Sequence, residues 1–218
     1  MLKVLYEDNH IIAVVKPAGM LSQGDKTGDV NLFDEVKKYL KEKYKKPGNV
    51  FLGLLHRLDR PASGIVLFAK TSKGAARLSE QFRNHTIVKT YEVLVSGKPK
   101  QNKGLLTNLL GKDEKLKKAK EYADGAEANL LYDLIKSNEK YSLLKVSIET
   151  GKFHQIRAQL SLAGMPLVGD VKYGGEKWSN KDALALCATG LEFEMATDPK
   201  RVKLTIDVPK EWEDNYLI

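Results

Sequence analysis

Apolar and polar positions along the chain fall into blocks, and the period of each block predicts its element. In "HIIAVVKPAG" a continuous apolar run, Ile11 to Val15, is closed by a Lys-Pro-Ala-Gly turn, the pattern of a short buried strand. In "DVNLFDEVKKYLKEKYKKPG" the side chains of Leu32, Phe33, Val36, Tyr39, Leu40 and Tyr44 recur at helical spacing. Asp29 or Asn31 is placed to cap that helix, Lys45 and Lys46 suit its negative end, and Pro47-Gly48 stops it. Gly64 to Lys70 reads as a second buried strand. Ser72 is the expected cap of the helix in "SKGAARLSEQFRNHT", whose apolar stripe is Ala75, Leu78 and Phe82.

Further on, the period shortens to two. "KTYEVLVSG" alternates, with Tyr91, Val93 and Val95 on one face. "ANLLYDLIKSNEKYSLLKVSIET" predicts two strands joined by a polar turn, with Leu144, Val146 and Ile148 sharing a face. "HQIRAQLSLAGMP" predicts a helix closed by Gly164, with Pro166 beyond it. "RVKLTIDVP" predicts a last long strand with Leu204, Ile206 and Val208 inward. The Lys- and Gly-rich stretch "GKPKQNKGLLTNLLGKDEKLKKAKEYADG" is the segment expected to be least ordered. Strands outnumber helices and several are hairpin neighbours, so the fold class expected is α+β, a mixed, mostly antiparallel sheet with flanking helices. No break in composition and no repeat divides residues 1–218, which predicts a single domain.

Charge adds a direction. The formal net charge is +8, from 36 Lys and Arg against 28 Asp and Glu, which favours a polyanionic partner such as nucleic acid or an anionic membrane surface. Acidic Glu7 and Asp8 interrupt the amino-terminal stretch where a signal peptide needs an apolar run, and the longest apolar runs, such as "IIAVV" and "IVLFA", are far short of a membrane span. The lone Cys187 permits neither an internal disulfide nor a Cys-x-x-Cys metal site. A cytoplasmic protein without membrane attachment is the expectation. It is also expected to be a monomer, because no exposed apolar helix is left over.

The candidate chemistry lies in two stretches. "HRLDRPASG", residues 56–64, places Asp59 between Arg57 and Arg60, and neighbouring cations favour an ionised carboxylate. "TGKFHQIRAQL", followed by "GMPLVGDVKYGG", crowds polar groups at a helix start and a turn. Neither phosphate-cradling glycine loop, Gly-x-x-x-x-Gly-Lys-Ser/Thr or Gly-x-Gly-x-x-Gly, occurs. His10, His56, His85 and His154 lack metal-ligand spacing, leaving His56, Asp59 and His154 as a set that is weak on paper. No metal and no cofactor are expected.

Taken in order, "VLYEDNHIIAVVKPAGMLSQG", "HRLDRPASGIVLFAK", "KTYEVLVSG" and "TGKFHQIRAQLSLAGMPLVGDVKYG" resemble the RluA-type family of pseudouridine synthases over nearly the whole chain, from about residue 4 to 208. The resemblance implies the pseudouridine synthase fold with a catalytic cleft along the sheet. It implies the catalytic domain without the small RNA-binding domain that many relatives carry ahead of it. Asp59 matches the catalytic aspartate, Tyr91 the active-site tyrosine, and Arg157 the arginine that pairs with that aspartate. Arg57 matches a position that reaches into RNA near the extruded base. His56, Arg60, Lys16, Lys70 and Lys172 are grouped with it as RNA contacts. The sequence departs from the family at Ala62-Ser63-Gly64, where Thr-Ser-Gly or similar is usual, and at Lys152-Phe153, where Arg-Thr is common. The implied activity is isomerisation of specific uridines in structured RNA, a transfer RNA or large-subunit ribosomal RNA stem-loop, with the base flipped out. Two other classes compete: an RNA-binding module without catalysis, and a hydrolase using Asp59 and His154 on a small anionic substrate.

Overall fold

The computed structural model describes residues 2–178 and 180–212, in eleven strands and three α-helices among the described residues. In chain order these are β1 (Lys3–Glu7), β2 (Ile11–Lys16), α1 (Leu32–Lys43), β3 (Gly53–Leu54), β4 (Ser63–Ala69), α2 (Ser72–Arg83), β5 (Val88–Ser96), β6 (Lys103–Asp113), β7 (Lys118–Glu121), β8 (Ala126–Ser137), β9 (Tyr141–Ile148), α3 (Gln155–Leu162), β10 (Leu186–Glu194) and β11 (Arg201–Thr205). The backbone divides into two compact units, one of residues 1–88 with 190–206, the other of residues 89–189 with 207–218.

In the first unit β2 pairs antiparallel with β1 and with β4, and the two-residue β3 adds to β4. Every residue of β4 is buried, which is why its sequence shows an apolar run rather than alternation. Ile11, Ala13, Ile65, Leu67 and Leu78 meet Leu191 and Phe193 of the β10–β11 hairpin in one core. Helix α1 is capped by Asn31, whose side chain accepts from Asp34 N, and it buries Leu32, Val36 and Leu40. Tyr44, predicted on that face, lies past the end of α1 and is 46% exposed. Its ring lies under the Lys70 ammonium and its hydroxyl donates to Glu7. The cap of α2 is Thr71 rather than the expected Ser72, because the Thr71 hydroxyl is the one that accepts from Gly74 N.

In the second unit the strand order is β5-β9-β8-β6-β7, antiparallel throughout. Tyr91, Val93 and Val95 are buried as the alternation predicts, and α3 ends at Gly164, whose φ of 77° demands glycine. The stretch expected to be least ordered is instead the long hairpin β6–β7, held to β8 from Lys103–Asp133 to Leu110–Ala126. Its strand signal was masked because Leu105 and Leu109 project from the exposed face, 59% and 38% accessible, so apolar residues occur on both faces. The lysines gather at its turn. β11 stops at Thr205, shorter than the run that suggested it, though Leu204 and Ile206 still pack on the core. The α+β class with a mostly antiparallel sheet and flanking helices agrees with these ladders.

Candidate active site

Asp59 sits in the loop between β3 and β4, and the loop is pinned on both sides of it. His56 Nε2 accepts from Leu67 N at 3.0 Å, so an imidazole continues the pairing that β3 began along β4. Ser22 Oγ donates to Leu58 O at 2.8 Å and accepts from Leu58 N at 3.1 Å, satisfying both backbone groups of a buried residue. On the other side, Arg60 O accepts from Gly19 N at 2.9 Å, and Arg60 Nε donates to Gly19 O at 2.9 Å. Gly19 adopts a φ of 81°, which turns its amide toward the loop at little steric cost. Asp59 O closes a turn with Ala62 N at 3.0 Å, and Asp59 as a residue is partly exposed. The "KPAGMLS" turn therefore acts as the mould in which the "HRLDRPA" loop sets.

Lys16 locks that mould. Its side chain is fully buried and its ammonium donates to Met20 O at 2.7 Å, to Pro17 O at 3.0 Å and to Arg60 O at 3.0 Å. Burial pushes Lys16 down to about 7, with the Asp59 charge opposing the fall and Arg60 adding to it. Between about pH 7 and the ordinary lysine range near 10.4, the unfolded chain holds a proton that the native chain has released. Stability contributed at this position therefore rises with pH across that window. Denaturation of wild type and Lys16→Met at several pH values is expected to show a positive slope for wild type relative to the variant, flattening below pH 7. A parallel pair of curves would contradict it.

In the second unit Tyr91 lies on β5 opposite Val146 of β9, 8% exposed. Arg157 lies on α3 with its side chain 7% exposed, and its guanidinium grips Asp170 in a two-point fork, Nε to Oδ2 at 2.7 Å and Nη2 to Oδ1 at 2.8 Å. Two glutamines set the helix that carries it. Gln155 donates to Asn129 O and accepts from Thr150 Oγ1 and Lys152 N, while Gln159 donates to Leu106 O and Ala128 O of β6 and β8. His154 precedes the helix with a φ of 50°, stacks on Phe153, and its Nδ1 is 2.9 Å from the Tyr173 hydroxyl. That contact fits a role in fixing the helix start.

The expected RNA contacts divide. Arg57 is exposed. Arg60 is exposed too, although it pairs with Asp29 at 2.7 Å. Lys172 is partly accessible in a 3-10 turn, Val171–Tyr173. Lys16 and Lys70 are not the surface cations that the sequence suggested. Lys16 is buried among carbonyls, and Lys70 donates to Glu7 at 2.6 Å and to Asp8 O at 2.6 Å. His56 is taken up by the backbone of β4. Asp59 with its loop belongs to the first unit, Tyr91, Arg157 and Lys172 to the second.

A family model described as RNA pseudouridylate synthase matches residues 10–162, which includes Asp59, Tyr91 and Arg157. The chain belongs to that family. Its RluA-type resemblance agrees with relatives among curated proteins. The chain is 33% identical over 211 residues to the ribosomal large subunit pseudouridine synthase C of Rickettsia prowazekii, covering 94% of this chain and 68% of that one. It is 32% identical over 188 residues to the uncharacterized RNA pseudouridine synthase YhcT of Bacillus subtilis, covering 84% of this chain but only 61% of that one. The fold matches human RNA pseudouridylate synthase domain containing 4, with a TM-score of 0.79 at 20% identity over 96% of this chain and 90% of that one.

Sequence reasoning missed the residues that hold the candidate groups in place. Asp170 was visible in "GMPLVGDVKYGG", yet nothing in a thirteen-residue separation announces its fork with Arg157. Ser22, Gln155 and Gln159 are polar residues that serve buried backbone groups, a role set by tertiary contact and invisible to periodicity.

Proposed function

We propose that this chain isomerises uridine to pseudouridine in a stem-loop of RNA, with Asp59 acting at the ribose. The observation that carries this reading is a partly exposed aspartate whose neighbours on both sides are fixed to one turn. Such fixing is what a group needs to meet a reacting atom within a fraction of an ångström. In the reaction the bond from ribose C1′ to the base nitrogen N1 breaks, the base turns, a bond from C1′ to C5 forms, and the C5 proton leaves as N1 gains one. Product and substrate are isomers, so neither an oxidant nor a group donor enters the balance. Asp59 serves as nucleophile at C1′ or as base at the adjacent ribose carbon.

In this reading Tyr91 and Arg157 take the catalytic roles that their match to the family's motifs implies. The Tyr91 ring offers a face to uracil and its hydroxyl a path for a proton. Arg157 supplies positive charge for the Asp59 carboxylate while Asp170 fixes its plane. Arg57 faces the RNA. Flipping the uridine costs a few kcal/mol, least in a loop, and phosphate contacts from the basic surface offset it.

For the substrate we propose large-subunit ribosomal RNA over transfer RNA, on the strength of the name of the Rickettsia prowazekii relative, a ribosomal large subunit pseudouridine synthase. Mapping pseudouridines in both RNA classes from cells with and without this protein tests it. The expected result is the loss of one or a few sites in large-subunit ribosomal RNA. Sites lost only from transfer RNA would reassign the substrate, and no lost site would remove the reading.

A further inference from the structure

The turn of the β6–β7 hairpin and the strand ends beside it carry five lysines, Lys112, Lys115, Lys117, Lys118 and Lys120, and part of this segment is fastened to the region around Arg157. Ala119 N donates to the Tyr173 hydroxyl at 2.6 Å, and Ala119 packs with Ala158, Phe153 and Tyr173. Both faces of the fastening are cationic. Lys118 Nζ lies 5.6 Å from the centre of the Tyr173 ring, and the Arg157 guanidinium lies 5.1 Å from it. Lys172 is the residue before that tyrosine.

The carboxylates of the neighbourhood are already used. Lys112 pairs with Glu114 at 2.8 Å, Lys120 with Asp113 at 2.9 Å, and Asp170 gives both oxygens to Arg157. Among the described residues Lys117, Lys118 and Lys172 have no carboxylate partner. They stand close enough for Arg157, Lys118 and Lys117 to lower the affinity of Lys172 for its proton, after burial as the first cause, with Asp170 the single opposing charge. Like charges held together by a tied-down hairpin are unfavourable in the free protein, and a polyanion relieves the repulsion.

We infer that Lys118 and Lys172, beside Tyr173, together with Lys117 next to Lys118 in the chain, form a phosphate-binding platform for the backbone of the RNA substrate. The inference rests on the pseudouridine synthase reading for the identity of the RNA. The ligand chemistry is the phosphodiester. The platform shares Tyr173 with Arg157, so it is proposed to grip RNA beside Arg157.

The test measures binding of a fluorescently labelled hairpin RNA with a uridine loop to the full chain. The chain carries Asp59→Asn so that the RNA stays unaltered. Lys117→Ala/Lys118→Ala/Lys172→Ala is expected to weaken binding at least about tenfold and to make the slope of log affinity against log salt shallower by about 2, near 0.7 for each lost single-strand contact. The triple Lys→Arg variant at the same positions is expected to bind normally, which guards against misfolding. Removing the same charge from exposed α1 and loop positions, Lys26→Ala/Lys38→Ala/Lys41→Ala, is expected to change affinity less than about threefold. An unchanged affinity and slope in the platform variant overturns the inference, and if the native chain still forms pseudouridine the enzymatic reading survives. Lysine-dependent RNA binding by a native chain that forms no pseudouridine supports the platform and removes the enzymatic reading. Absence of RNA binding by the native chain overturns both. Inorganic phosphate that displaces the RNA better than chloride at equal ionic strength, in the native chain but not the platform variant, would mark a small-anion site and also overturn it.

Discussion

Asp59→Asn is expected to abolish pseudouridine formation, by at least about 10³-fold in the single-turnover rate, while leaving RNA affinity within a few-fold of wild type. The substitution keeps the shape of the side chain and removes the charge that makes it a nucleophile or a base. Because the loop is held through the backbone of Leu58 and Arg60, its conformation is expected to persist. Single-turnover kinetics with saturating protein, beside equilibrium binding, separates chemistry from affinity. A variant that reacts at a near-normal rate would remove Asp59 from the mechanism.

Asp170→Ala is expected to destabilise the fold by about 3–5 kcal/mol, because it leaves the Arg157 guanidinium buried without its carboxylate. The two side chains are 7% and 1% exposed, so water does not replace the lost partner. Arg157→Lys keeps the charge but loses the planar fork, and is expected to slow the chemical step more than it weakens RNA binding. Denaturant unfolding of the Asp170 variant and single-turnover kinetics of the Arg157 variant check the two halves. A stable Asp170→Ala protein would mean that solvent or another group satisfies Arg157. Unchanged chemistry with weakened binding in Arg157→Lys would make Arg157 a phosphate contact.

Much of this architecture could be read from hydrophobic spacing. β2, β4, α1, β8, β9 and α3 all fall where the period of apolar residues put them, because each buries a face that the sequence writes at a fixed interval. The β6–β7 hairpin escaped that reading because Leu105 and Leu109 break the alternation and lysines crowd its turn. Of the candidate site, Asp59 stood out between two arginines, but the roles assigned to it, to Tyr91 and to Arg157 came only from the ordered blocks that resemble a family. Their supports were not legible. A serine that closes both backbone groups of Leu58, or a lysine that leaves the surface to bind three carbonyls, looks in sequence like any surface polar residue. Lys16 and Lys70 show the limit from the other side: positive charge in a sequence says nothing about whether water or protein solvates it.

Asp59, with Tyr91 and Arg157 and no reactant other than the RNA, is expected to move the base from N1 to C5. This is tested most directly by incubating the purified chain with RNA transcripts carrying tritium at uridine C5, without added cofactor, and measuring tritium released to water. Wild type is expected to release tritium with a matching amount of pseudouridine in the digested RNA, and Asp59→Asn to give neither. Release of tritium by Asp59→Asn at the wild-type rate would contradict it.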